Sequence, residues 1–273
     1  SPEAPNTHLK AWSDLLGLFM GLFFTLPLAW FTSVKVKYET LNIALRNYFS
    51  IKSAVSILVF IVLYKLGDAF AGSLLTPFLL KGVGFAQAEI GVVNKIIGIW
   101  LTILGALVGG GLMIKLGLYR SLLLFGILQL LSNMGFWLVA TLGKGAWGEF
   151  QLPAFDLILV SLKEATQVDG LLVFAVGVEN ITSGMGTAAF VALLMSLCNQ
   201  KFTATQYALL SAFSAVGRVW VGPLAGAAAT SIGWPTFFIV STVMAIPGLL
   251  MLVKLKPIVH ELEAPQGALL ADD

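Results

Sequence analysis

Several side chains that can carry charge or bind protons lie inside long apolar runs of this sequence. Lys65 and Asp68 are three residues apart, so on a helix they share a face. Asn94 adjoins Lys95, and Glu179 adjoins Asn180. At helical spacing Glu179 aligns with Ser183 and Gly186, and Asn180 with Gly184 and Thr187. Tyr207, Ser211, Ser214 and Arg218 form one stripe, and Gly126, Gln129 and Asn133 another. An ionisable group held in hydrocarbon costs at least about 2.5–3.5 kcal/mol on insertion scales, so its default reading is functional. A polar stripe on an otherwise apolar helix faces a wet cavity or the bundle centre. Asp68 and Glu179 are therefore candidates for taking up and releasing protons. Lys95 and Arg218 are candidates for binding carboxylates or holding those acids in place. A structural ion pair has an even claim on Lys65 and Asp68, or on either with Lys95. A gate or packing pair has an equal claim on Arg218. No adjacent base neutralises Glu179, which favours a functional role for it.

These groups need helices to carry them. Hydrophobic residues make up 58% of the 273 and charged residues 11%. Soluble domains carry roughly 25% charge, so this chain cannot cover a water-facing surface. Mean hydropathy is +0.92. The apolar runs are about 20 residues or more and lack period-2 alternation, which predicts membrane helices rather than barrel strands. Seven spans are expected, at Trp12–Val34, Ser53–Leu80, Ala88–Met113, Leu118–Leu142, Leu171–Leu197, Thr205–Ala229 and Trp234–Val253. Counted at about 1.5 Å per residue from the span ends, Asp68, Lys95, Glu179 and Arg218 arrive at a similar depth from four spans. One set of connections holds Lys35, Lys37, Arg46, Lys52, Lys115, Arg120, Lys201, Lys254 and Lys256, and the other holds Lys10, Lys81, Lys144 and Lys163. The positive-inside rule makes the richer set cytoplasmic, with Ser1 outside and Asp273 inside.

Other function classes lack support. The net charge of +2 gives no reason to expect a nucleic-acid partner, and one cysteine, Cys198, cannot form an internal disulfide. No H-E-x-x-H, G-x-S-x-G or Walker A pattern occurs, so no metal, cofactor or enzymatic activity is expected. Glycines four apart at Gly17/Gly21, Gly105/Gly109 and Gly222/Gly226 suit close helix packing, read equally as a static interface or a sliding one. Gly143–Asp169 is expected to be an irregular loop with a short surface helix at Phe155–Leu162, its acids Glu149, Asp156, Glu164 and Asp169 solvated. Residues 41–52 read as a solvated linker or a short interfacial helix, and 257–273 as a tail.

The segment GLMIKLGLYR (Gly111–Arg120) resembles the cytoplasmic loop motif of the major facilitator superfamily, although Lys115 stands where that motif usually has an acid. GRVWVGPLAG (Gly217–Gly226) resembles the glycine-rich start of its penultimate helix. Longer blocks resemble the AmpG muropeptide permease family of bacterial inner membranes. They are LYKLGDAF (Leu63–Phe70), GVGF…EIGVVNK (Gly82–Lys95), VEN…GMGTAAFVALLMSLCN (Val178–Asn199) and ATQYALLSAFSAVGRVWVGPLAG (Ala204–Gly226).

The resemblance implies an all-α membrane protein. Residues 53–256 would be a six-helix C-terminal transporter half and 1–40 a leading helix with its flanks, with an N-terminal half expected to precede them. It implies proton-coupled import of disaccharide-peptides from periplasm to cytoplasm, with wall recycling and, in some bacteria, β-lactamase induction downstream. Lys65, Asp68, Asn94, Lys95, Glu179, Asn180 and Arg218 match polar membrane positions of that family. Asn94, Gln129, Asn133 and Asn180 would then bind sugar and peptide groups. The alternatives are an acetyl-CoA-type carrier of the same superfamily, or a membrane scaffold or sensor with a transporter fold.

Overall fold

A computed structural model describes residues 7–35, 43, 48–50, 53–157, 160–162, 164–198 and 203–263. Each expected span falls on a helix. The helices are α1 (Thr7–Lys35), α2 (Ala54–Val83), α3 (Gln87–Leu116), α4 (Leu118–Leu142), α5 (Gly170–Ser196), α6 (Thr203–Ile232) and α7 (Trp234–Lys254). Among the described residues, five of these, α2, α3, α4, α5 and α7, are long and apolar enough by length and composition to cross a membrane. The chain is an all-α, multi-pass membrane protein. Of the expected linker, only Tyr48–Ser50 and Ile43 lie within the described residues.

Two helices change pitch. In α2 the helix breaks at Lys65 and Leu74, and after Pro77 it widens into a π-helical turn over Phe78–Val83. Proline removes a donor from the i→i−4 ladder, which loosens the turns around it. In α3 the stretch Val93–Gly98, carrying Asn94 and Lys95, is also π-helical.

Helix α5 packs against α3 and α4, α4 against α7, and α2 against both α6 and α7. Two apolar cores result. One holds Phe70, Phe78, Phe136, Leu171, Leu172 and Phe238, and the other Phe60, Tyr64, Phe125, Phe190, Leu193 and Leu210. A polar layer separates them. On α4 it includes Gln129, Ser132 and Asn133, on α5 Glu179, Asn180, Thr182 and Ser183, and on α6 Ser211 and Ser214.

Two expectations outside the helices are corrected. Gly143–Asp169 contains four short strands, β1 (Glu149–Leu152), β2 (Phe155–Leu157), β3 (Val160–Leu162) and β4 (Thr166–Asp169). Antiparallel pairs β1–β4 and β2–β3 nest one inside the other, so the described residues of the expected surface helix, Phe155–Leu157 and Val160–Leu162, form a strand pair. Pro153 precedes it, and Phe155, Asp156 and Leu157 alternate with period 2, which suits a strand. Asp169, expected to be solvated, is fully buried. Its Oδ1 accepts from Leu172 N at 2.8 Å and caps α5, its Oδ2 accepts from Gly145 N at 2.6 Å, and its own N–H donates to Glu89 Oε1 at 2.9 Å. Glu89, itself 2% exposed, also accepts from Lys144 Nζ at 2.9 Å. That bond holds the Lys144 ammonium charged, above the usual lysine range.

Replacing Asp169 by Ala removes the cap and should destabilise the protein by about 0.5–2 kcal/mol, while Asn, a comparable cap, should retain most of the stability. Urea unfolding of the two variants in detergent checks the difference.

The expected tail begins with a helix, α8 (Lys256–Glu263). Glu263 Oε1 accepts from Tyr119 N at 2.7 Å, and Glu263 Oε2 lies 3.0 Å from His260 Nδ1. A carboxylate from the far end of the chain thus satisfies an open donor at the start of α4 and complements its dipole. Residues 264–273 lie outside the described ones.

Candidate functional site

The polar layer opens into a cavity of about 620 Å³. Three helices supply its polar wall. Helix α2 contributes Lys65, Asp68 and Ser73, α5 contributes Glu179, Ser183 and Thr187, and α6 contributes Tyr207, Ser211 and Ser214. Phe190, Val191 and Leu194 form an apolar patch in the same cavity. The three stripes read from the sequence therefore face one another across a shared space.

Lys65 Nζ lies 3.6 Å from Asp68 Oδ2, with the two side chains 16% and 29% exposed. The same ammonium sits 5.6 Å from the Phe190 ring centre, a geometry suited to cation–π attraction. From α4, Gln129 Nε2 donates a hydrogen bond to Asp68 Oδ2. Glu179 lines the cavity one helix away, on α5. Two acids, an ammonium and a row of hydroxyls can together bind protons and a polar solute carrying both charge and hydroxyl groups.

Other sequence candidates are placed elsewhere. Gln129, expected to bind substrate, is 5% exposed and directs its amide to Asp68. Asn180, expected to do the same, fastens α5 to α3. Its Oδ1 accepts from Thr102 Oγ1 at 2.8 Å, and its Nδ2 donates to Val176 O at 2.8 Å. Asn133 is 2% exposed inside the bundle and its Nδ2 has no hydrogen-bond partner among the described residues. Asn94 is half-buried and Lys95 exposed, both on the π-helical stretch of α3 and neither lining this cavity. Arg218 lies on α6, but its side chain falls outside the described ones.

Sequence reading missed Ser73 and Phe190. Phe190 lies eleven residues, about three turns, beyond Glu179 and so on the same face, a signal the apolar side chain conceals. Ser73 sits beside the break at Leu74, where helical spacing stops being informative.

No family model matches the chain. It is 51% identical over 209 residues to the anhydromuropeptide permease of Escherichia coli (strain K12), an alignment covering 77% of this chain and 38% of that protein. It is 33% identical over 218 residues to putative transporter AmpG 4 of Rickettsia felis, covering 80% of this chain and 47% of the relative. It is also 34% identical over 259 residues to an uncharacterised protein of Haemophilus influenzae, covering 92% of this chain and 57% of the relative. The chain thus spans less than two thirds of each of these relatives. By its motif blocks, its helices and its 51% identity, it is a relative of the AmpG anhydromuropeptide permeases and matches one region of those longer proteins.

Proposed function

We propose that this chain is the C-terminal half of a secondary transporter of the major facilitator type. The whole protein would import anhydro-muropeptides from periplasm to cytoplasm across the bacterial inner membrane, coupled to protons. The observation that carries the reading is the cavity in which Lys65, Asp68 and Glu179 meet the hydroxyls of α5 and α6, in a chain 51% identical over 209 residues to a named permease. Asp68 and Glu179 exchange protons. Lys65 and Arg218 attract carboxylates of the peptide, and Ser183, Thr187, Tyr207 and Ser211 hydrogen-bond to sugar and peptide groups. A volume of about 620 Å³ suits part of a disaccharide-peptide, and an N-terminal half would line the rest. Its loop motif and the basic residues beside α2, α4 and α8 would face the cytoplasm, with the C-terminus on the same side.

An acetyl-CoA-type carrier needs a strongly basic site for phosphates. The described lining holds two acids against one lysine, which favours the muropeptide reading. The experiment is uptake into liposomes containing the full-length protein, with the outside acidic. Labelled anhydro-muropeptide should accumulate inside, and a protonophore should abolish the accumulation. Accumulation of labelled acetyl-CoA instead would select the carrier, and no movement of either would favour a scaffold or sensor.

A further inference from the structure

Gln129 does not line the 620 Å³ cavity, yet it touches the acid that does. It stands on α4 behind Asp68, almost fully buried, and its Nε2 donates to Asp68 Oδ2. The recess on this side of Asp68 is otherwise walled by Tyr64, Gly126, Leu130, Ala245 and Leu249. The Tyr64 hydroxyl donates at 2.8 Å to Leu122 O, and the remaining side chains have no polar hydrogen. From this wall the amide is therefore the donor that meets the carboxylate.

Packing fixes the amide where it is. A Cβ placed on Gly186 would meet Gln129 Oε1 and lie 3.0 Å from its Cδ, so the absence of a side chain at position 186 makes the room. Helices α2, α4 and α5 thus converge on one amide group.

We infer that Gln129 is a positioning residue that holds the Asp68 carboxylate in place and turns it towards the cavity, and so sets the pH at which uptake proceeds. The inference rests on the proposed role of Asp68 in proton coupling. An amide N–H that donates to a carboxylate oxygen fixes the direction in which that carboxylate points. Among the described residues, the groups that face Asp68 include Lys65 and Tyr64 from its own helix and Glu179 from α5, with Tyr207 from α6 in the same cavity. Helix α7 presents the apolar Ala245 and Leu249. The Arg218 side chain of α6 lies outside the described ones. None of these groups changes when Gln129 is replaced by an apolar residue of similar size.

The test is the pH profile of muropeptide uptake by the full-length protein in liposomes. Gln129→Leu should displace the profile by about one unit from that of the unaltered protein. Gly186→Ala should move it in the same direction by less, because it displaces the amide without altering any polar group. A purely structural role for Gln129 would lower uptake equally at every pH. A profile left in place by both variants overturns the inference, and Gly186→Ala alone decides it if Gln129→Leu does not reach the membrane. Asp68→Asn separates the two readings. If it abolishes the pH dependence while Gln129→Leu and Gly186→Ala shift nothing, the Gln129 assignment alone is wrong. If it leaves the pH dependence intact, the role of Asp68 falls and the inference with it.

Discussion

Replacing Glu179 by Gln in the full-length protein should reduce proton-driven uptake at least tenfold while leaving the amount of protein in the membrane unchanged. Glutamine keeps the size of the side chain and one carbonyl-type acceptor but cannot release a proton. Glu179 faces the cavity from α5 and does not belong to either apolar core, so the change leaves no hole and breaks no packing contact. Its nearest structural duties are carried by its backbone: Thr182 Oγ1 donates to Glu179 O at 3.1 Å, and the substitution does not touch that bond. A loss of coupling should therefore separate from a loss of binding. Exchange of labelled for unlabelled substrate, with no pH gradient imposed, should persist in Glu179→Gln. A tenfold loss of driven uptake corresponds to about 1.4 kcal/mol, well above what a surface substitution of similar shape produces. Driven uptake equal to that of the unaltered protein would remove Glu179 from the mechanism, and equal loss of exchange would make it a binding group instead.

The site was legible where its residues repeat at helical spacing. Lys65 with Asp68, Glu179 with Ser183, and Tyr207 with Ser211 and Ser214 each declare a face, and a face of polar groups in an apolar helix has few places to point. Periodicity does not say what lies opposite. Gln129 and Asn180 carry the same functional group in similar polar stripes, yet one amide meets Asp68 and the other ties α5 to Thr102. That difference is set by which helix packs alongside, α2 for one and α3 for the other, and sequence spacing does not encode it. Asp169 shows the reverse. An acid immediately before an apolar helical run is a cap signature, and weighing it as one more solvated charge overlooked a signal that was present. The strand pairs of 149–169 were hidden because they are short and stabilised by pairing with each other, which a search for long apolar runs passes over.

Glycine at 105 and glycine at 110 should respond in opposite ways to the same substitution. Both lie in α3, so each gains helix propensity, up to about 1 kcal/mol, when it becomes alanine. At Gly110 nothing lies within 4 Å of the added methyl, and Gly110→Ala should be neutral or stabilising. At Gly105 the methyl would run into the backbone carbonyl of Ile181 on α5. The contact is reciprocal: a methyl on Gly184 would strike the backbone carbonyl of Thr102, and one on Gly109 would come within 2.7 Å of Met185 Cα. Backbone atoms of two packed helices cannot swing aside as a side chain can, so the helices must part. Separating them also pulls Thr102 away from Asn180 and takes from Asn180 Oδ1 the donor it meets on α3, while Thr102 Oγ1 keeps its bond to Gly98 O. Overpacking alone costs about 1–3 kcal/mol, which exceeds the propensity gain. Gly105→Ala should thus lower the unfolding midpoint in detergent while Gly110→Ala does not, and Gly105→Leu should fail to yield folded protein. A Gly105→Ala protein as stable as Gly110→Ala would mean that α3 and α5 do not meet backbone to backbone, and the crossing that places Glu179 on the cavity wall would have to be redrawn.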